Sequence, residues 1–600
     1  MTLPTTCTET PWFTLAPWEL LSTARLTAIT HYLNQPETQR LLAEGEAQCA
    51  YPQVARQKLH QLGLPAFLLD RTIASAGDAA LPAETVATFP HIAALVILCT
   101  AANASLGVTV GVNLLALLPI YIAGDAQQLG WVAERIGRGD YAALLLSELA
   151  HGSDLLANET VALRTEDAAT GAYYRLHGRK DLINGGSQHE LLVVFARNKE
   201  PSPQPSTGSG SGRLRGGHDF NLLLVDRAAY PTQITSPQRW HTLPTPAADI
   251  ASVAFHDCPI PASQRLGKEG QGFLLVQQLL PLSRGGASTF AVGVAASARQ
   301  VATQYAATHQ LYGQPIQQLG AIGEHLQQMQ ALELLTCALS VKAIAMINAL
   351  GGGAAYYGAL AKYACCTLAE AAVDEGRLIM GSRGLLRDFP YHRAVGDVLL
   401  FATFDGTTHL LLDQLQWRLM QMAHNRGQAA ADGDAMLQQV QKIYTTPPQP
   451  IGTSVRQQTA VLLVEPVAYL QTLSAYAQVV PLAAMQQSAA TLLALVRHWR
   501  MSGEWEAEQA LRFALAKLLS WQEALIAVCE LADPGVRQAL GITRAVDDPS
   551  ITADRVMATV GWFGGKLCAE LRRVAYRYGG ATVLGDLADA ESAFGAMSRK

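Results

Sequence analysis

The run Ser147-Glu148-Leu149-Ala150-His151-Gly152-Ser153-Asp154 gathers hydroxyls, carboxylates and an imidazole directly after the apolar segment Tyr141 to Leu146. The apolar residues read as a buried strand, and the Gly152-Ser153 step lets backbone amides and short hydroxyls come close to a bound ring. That is ligand-site chemistry, although Gly-Ser-Asp is equally an ordinary turn. Metal chemistry finds no such centre. The nine cysteines (Cys7, Cys49, Cys99, Cys258, Cys337, Cys365, Cys366, Cys529, Cys568) are scattered, and no CxxC or Cys/His cluster has ligand spacing.

The elements that position this run belong to a chain of 600 residues, too long for one core, so roughly three or four structural units are expected. With 49% hydrophobic and 16% charged residues and a net charge of −5, the composition is that of a folded, mildly acidic protein. It offers no basic patch for nucleic acid. The scattered thiols fit a reducing cytoplasm, and no basic residue precedes an apolar run in Met1 to Trp12, so no secretory signal is expected there. No Asp, Glu, Lys or Arg occurs between Glu84 and Asp125, which raises the question of a membrane span over Ile92 to Leu118. Asn103, Ser105, Gly107, Asn113 and Pro119 interrupt it, so a pair of buried helices is expected instead.

Hydrophobic spacing divides the chain further. Residues 1–140 read as a helical domain. Residues 141–265 shorten to a strand period and read as an antiparallel β domain, with a mobile loop at the Pro/Ser/Gly-rich residues 201–217. Helical spacing returns over 266–425 in segments long enough for a bundle, residues 426–450 read as a linker, and 451–600 as an additional helical domain.

Further motifs fall in a consistent order, and together they resemble the acyl-CoA dehydrogenase family over about residues 20–425. Ser147-Glu148 with Gly152-Ser153-Asp154 is similar to its Thr-Glu-Pro-x-x-Gly-Ser-Asp signature, with Leu149 in place of the Pro. Gly178-Arg-Lys-Asp-Leu-Ile-Asn-Gly185 resembles its second flavin strand. Val253-Ala-Phe-His-Asp-Cys-Pro-Ile-Pro261 and Gly270-Gln-Gly-Phe273 resemble the exit from its β domain. Tyr312-Gly-Gln-Pro-Ile316 is similar to the Phe-Gly-x-Pro-Ile turn, and Phe404-Asp-Gly-Thr407 stands where the family has Tyr-Glu-Gly-Thr. The implied fold is α+β and mainly α: an N-terminal helical domain, a middle antiparallel β-barrel or sandwich, a C-terminal four-helix bundle and, here, the additional helical domain.

The resemblance implies FAD as cofactor and assigns residues to it. Ser147 and Ser153 would meet the flavin ring and the neighbouring thioester, with Asn184 nearby and Leu182 where a stacking Trp is usual. Thr407 and His409 match positions that touch the cofactor. Arg284 matches an Arg beneath the substrate pocket, against the alternative of a helix ion pair. Asp405 takes the place of the family's catalytic Glu: it would remove the α-proton while flavin N5 accepts hydride from the β-carbon. Aspartate is one methylene shorter, a displacement of roughly 1.5 Å that a smaller or closer substrate could offset. Ser283 occupies the alternative base position, so no second carboxylate stands there. His309, next to the Tyr312 turn, replaces the Arg that reaches the pyrophosphate of a neighbouring subunit's FAD. Leu378 and Gly320 replace Gln, and the Gly-rich turn reads Gly381-Ser-Arg-Gly384, so the adenine half must be held differently, with Arg383 as a candidate.

The activity implied is α,β-desaturation of an acyl-CoA, or of an acyl group on an acyl or peptidyl carrier protein, with electrons passing to electron-transfer flavoprotein or oxygen. Two alternatives stay open: a nitroalkane-oxidase-like flavin oxidase, and a degenerate scaffold without catalysis. The additional domain implies a homodimer rather than a tetramer. Lys566 to Arg577 is basic and amphipathic, suited to an acidic carrier or a membrane surface, or else a solvated helix face.

Overall fold

Two buried helices meet at Asn103, whose side chain accepts from the Leu106 amide to start one helix just where its backbone ends the other. These are Phe89–Ala102 and Ala104–Ala123, as the interrupted apolar stretch predicts. A Cβ on Gly107 would lie 2.1 Å from the Thr100 hydroxyl, so only glycine lets the helices approach this closely. Ala104–Ala123 and Gly320–Leu350 are long and apolar enough to cross a membrane, yet most of each is buried within the protein.

The computed structural model describes residues 10–19, 24–70, 87–167, 171–198, 219–425, 432–457, 459–460, 462–546, 548–549, 551–585 and 587–598. The loop expected at 201–217 lies outside them. The chain divides into two compact units.

The first unit, Ala24–Ser283 with Pro450–Gln457, carries the N-terminal helices and the sheet. Strands β1 (Ala142–Leu145), β2 (Val161–Asp167), β3 (Gly171–Asn184), β4 (Leu191–Arg197), β5 (Phe220–Asp226), β6 (Ile234–Thr235), β7 (Ile250–Pro261) and β8 (Arg265–Leu266) run in the order β6-β7-β3-β2-β4-β5-β8, with β1 on β4. The sheet is mixed rather than wholly antiparallel. β1 pairs parallel with β4, and Val161 of β2 does the same with Arg197, because the chain from β1 reaches β4 only after the β2–β3 hairpin. One face buries Leu145, Tyr174, Leu176, Val194, Phe255 and Ile260. Asn113 fixes the helices to this layer by accepting from the Ala142 amide at 2.9 Å.

The second unit comprises Met1–Thr23, Arg284–Gln449 and Gln458–Lys600. Its frame is Gly320–Leu350 and Ala355–Met380, with Thr408–Asn425, Ala483–Ser502, Gln509–Ala532 and Ala553–Arg577. Residues expected to form a separate C-terminal domain cluster with the bundle. The reason is a buried polar centre: Lys342 donates to Glu523 at 3.2 Å and to Glu530 at 3.1 Å, and Tyr444 and Tyr469 each donate to Glu530 at 2.8 Å. Such a charge cannot be exposed or separated cheaply, so these helices form one body. The stretch read as a linker also needs correction. Helix Gly433–Thr445 lies within it, capped by Asp432 and burying Leu437, Val440, Ile443 and Tyr444. Residues 450–457 belong to the first unit, where Asp70 accepts from the Gly452 amide at 2.6 Å.

Candidate active site

In the sheet unit the site residues converge at the end of β1. Glu148, buried, accepts from Lys180 Nζ at 2.9 Å and from the amides of Glu159 and Thr160 at 2.7 and 2.9 Å. Burial pushes its carboxyl up, but Lys180 and these donors outweigh that and hold it below the usual range. Lys180 is fully buried, and desolvation lowers its ammonium to about 8 despite Glu148. Ser147 and Asp181 exchange bonds: the Ser147 hydroxyl donates to the Asp181 carbonyl, and the Asp181 amide donates to the Ser147 carbonyl, both at 3.0 Å. The Asp181 carboxylate in turn accepts from Ser252 at 2.6 Å and Arg179 at 2.7 Å. Glu148 is thus a structural clamp, and Ser147 is held at the strand end.

The strand register slips between Lys180 and Ile183, and Leu182 sits in that bulge with φ +59°, half exposed. Bulges of this kind re-aim a side chain. Asn184 follows. Both atoms of its amide are buried with no partner among the described residues, although buried polar groups are nearly always bonded. Ser153 is exposed in the turn before the short helix Leu155–Ala157. Ser283, inside helix Gly272–Thr308, donates back to the Leu280 carbonyl at 3.0 Å.

In the helical unit, Asp405 occupies a turn between helices Tyr391–Phe401 and Thr408–Asn425 with φ +54°, followed by Gly406 at +100°. A left-handed Asp is costly and persists only where its surroundings impose it. They do so here. Arg284, buried, donates to the Asp405 carbonyl at 3.4 Å and to Gln414 at 2.8 Å. Lys362, fully buried, donates to the Gly406 carbonyl at 2.6 Å and the Ala402 carbonyl at 3.4 Å. Phe404 is wedged against Phe290 and Phe401, at 5.9 and 6.0 Å between ring centres. Burial lowers both cations, and Asp405 acts in the opposite sense on each. Thr407 and His409 are exposed just beyond the turn, the His409 ring 5.9 Å from Phe513.

A separate cluster forms around His309. Its ring stacks on Tyr305 at 4.8 Å, and Arg383 donates to its Nδ1 at 3.4 Å while lying 5.3 Å from the Tyr305 ring centre. A permanent cation therefore stands beside the position that lacks one. Tyr312 is 85% exposed at the tip of the hairpin Gln310–Leu311/Gln314–Pro315, with φ +53°. Gly381, at φ +56°, ends helix Ala355–Met380 and opens the turn that carries Arg383.

Residues 270–420 match the family model for the acyl-CoA dehydrogenase C-terminal domain. The mitochondrial short-chain specific acyl-CoA dehydrogenase of Mus musculus is 27% identical over 375 residues, covering 62% of this chain and 83% of that protein. Acryloyl-CoA reductase (NADH) of Anaerotignum propionicum is 27% identical over 300 residues, 50% of this chain and 71% of that protein. Residues 270–420 thus carry the acyl-CoA dehydrogenase C-terminal domain, and the wider chain is similar to acyl-CoA dehydrogenases. Among solved structures, an acyl-CoA dehydrogenase complexed with FAD from Bacillus anthracis aligns with 98% of this chain and 90% of its own, at TM-score 0.68 and 17% identity. The fold likeness therefore extends through the C-terminal helices.

The residues present fit FAD. The orphaned Asn184 amide offers a donor and an acceptor side by side, as the edge of an isoalloxazine requires. Arg383 beside His309 fits a phosphate. Two functional residues escaped the sequence reading, Lys180 and Lys362. Lys362 is a lone charge within the apolar run Ala359 to Cys365, and that isolation was its only signal, whereas Lys180 lies between Arg179 and Asp181 and carried none.

Proposed function

We propose that this chain, loaded with FAD, desaturates an acyl thioester between its α and β carbons. Asp405 takes the α-proton onto its carboxylate, the β-carbon loses hydride, and the electron pair of the α C–H bond becomes the new double bond. FAD, when bound, supplies the hydride acceptor at flavin N5. Ser147 and Ser153 offer hydroxyls, Asn184 its amide and Leu182 an apolar face to the ring; Arg284 holds the base. The observation that carries this reading is the Asp405 turn, in which a strained carboxylate residue is held between two buried cations rather than left as a surface turn. Where the acyl group rides on coenzyme A, the thioester is a free ligand; where it rides on a carrier protein, only the carrier-bound form reacts.

We also propose a homodimer. Leu311 and Tyr312 beside His309, and Leu385 and Leu386 beside Arg383, are exposed apolar residues that a second copy would cover. Light scattering at micromolar concentration should give twice the chain mass; a monomer in the presence of FAD contradicts this part. The main reading is tested by reconstituting the protein with FAD and adding acyl-CoA and carrier-bound thioesters without oxygen. Bleaching of the flavin band with release of an enoyl thioester supports it. Reduction by nitroalkanes alone, or no uptake of FAD, overturns it.

A further inference from the structure

Lys362 lies one helix away from the turn it touches and is held entirely inside the protein. Its ammonium donates to the Gly406 carbonyl at 2.6 Å and to the Ala402 carbonyl at 3.4 Å, which flank Phe404 and Asp405 on either side. Ala402 is the C-cap of helix Tyr391–Phe401, so the amine also sits at the negative end of that helix. The neighbouring Cys366 thiol donates to the Phe401 carbonyl at 3.2 Å. Phe404 faces the amine, its ring centre 5.9 Å away. A buried lysine normally requires a carboxylate partner, because an uncompensated ammonium in the interior is costly. Here the bonds are to backbone oxygens, and these fix the turn.

We propose that Lys362 is the positioning residue of the catalytic turn, tying the carbonyls on both sides of Asp405 so that its left-handed backbone, and with it the carboxylate, is set before substrate arrives. This deepens the proposed function and rests on Asp405 being the base. The charge acts in addition to the bonds. The titratable groups around the turn are Lys362, Cys366 and Glu370 from one helix and Arg284 from another. The two cations favour ionised Asp405, and the Cys366 thiol, raised by burial to about 12, stays neutral.

The test uses the FAD-loaded full chain and two variants, Lys362→Met, which keeps the volume and removes both donor and charge, and Lys362→Arg, which restores both. Amide hydrogen exchange over residues 402–407 should accelerate at least about tenfold in Lys362→Met and return toward wild type in Lys362→Arg. The acid limb of the flavin-reduction rate should move up by about one pH unit in Lys362→Met only. Unchanged exchange in this turn, or a wild-type acid limb in Lys362→Met, overturns the proposal, and global rather than local acceleration does so as well. Should wild-type flavin resist reduction by every thioester tried, the base reading falls, and the exchange measurement still decides whether Lys362 holds the turn.

Discussion

Lys180 in the sheet unit and Lys362 in the helical unit are both buried, and they are used in opposite ways. Lys180 meets a carboxylate side chain, and Glu148, surrounded by it and two amides, is consumed as structure. Lys362 meets carbonyls, so its bonds go to the backbone while its charge acts through space on Asp405. The same residue type thus makes a clamp in one place and a mount in the other, according to whether its partner is a side chain or the chain itself. The Glu of the Ser-Glu pair is therefore no candidate acid or base, and the Asp of the Phe-Asp-Gly-Thr turn stays one.

The comparison breaks first at Asp405. Asp405→Asn should cut the rate of flavin reduction by at least about a thousandfold while FAD still binds, measured by rapid mixing without oxygen. Glu148→Gln should instead leave chemistry in whatever protein remains folded, but lower stability by about 3 to 5 kcal/mol because Lys180 loses its buried partner. Denaturant unfolding checks this, and a stable Glu148→Gln protein with no flavin reduction would invert the assignment. Lys342→Met sharpens the contrast from the C-terminal side. It strands Glu523 and Glu530 without their cation, and these helices should then open at lower denaturant than the sheet unit.

Acid separates the units further. Burial holds His189 down to about 3, with Nδ1–H donating to the Ala142 carbonyl at 2.9 Å and Tyr51 donating to Nε2 at 3.2 Å. The unfolded imidazole takes up a proton below about 6.5, whereas the folded one does not until about 3. Stability is therefore complete above 6.5 and falls by about 1.4 kcal/mol for each pH unit between these values. His189→Gln should flatten that slope in the melting temperature. The smallest effect expected is at Arg383: Arg383→Ala should weaken FAD binding by about tenfold, read by flavin fluorescence, with the thioester-binding residues untouched.

Much of this was legible before the structure. Asn103, Pro119 and the polar interruptions marked buried helices rather than a membrane span. The Ser147 and Asp405 motifs lay at the ends of the elements that the spacing predicts. What was hidden depends on partners far apart in sequence. Lys180 reads as a strand residue until Glu148 comes beside it, and Lys362 as a helix residue until the 402–406 turn arrives. The left-handed backbones of Leu182 and Tyr312 are equally invisible, because side chains of these types rarely adopt them and only tertiary constraint imposes them. The parallel pairing of β1 and helix Gly433–Thr445 were missed for related reasons. Turn-like composition around Asp432 masked an N-cap, and strand order is not written in alternation.

The most direct measurement is the isotope effect on flavin bleaching with a thioester deuterated at the α-carbon, in wild type and Asp405→Asn, without oxygen. Proton removal by Asp405 requires wild-type bleaching that slows with α-deuterium and an Asn variant that binds FAD but scarcely bleaches. Bleaching of the Asn variant at the wild-type rate, with the isotope effect intact, would place the base elsewhere.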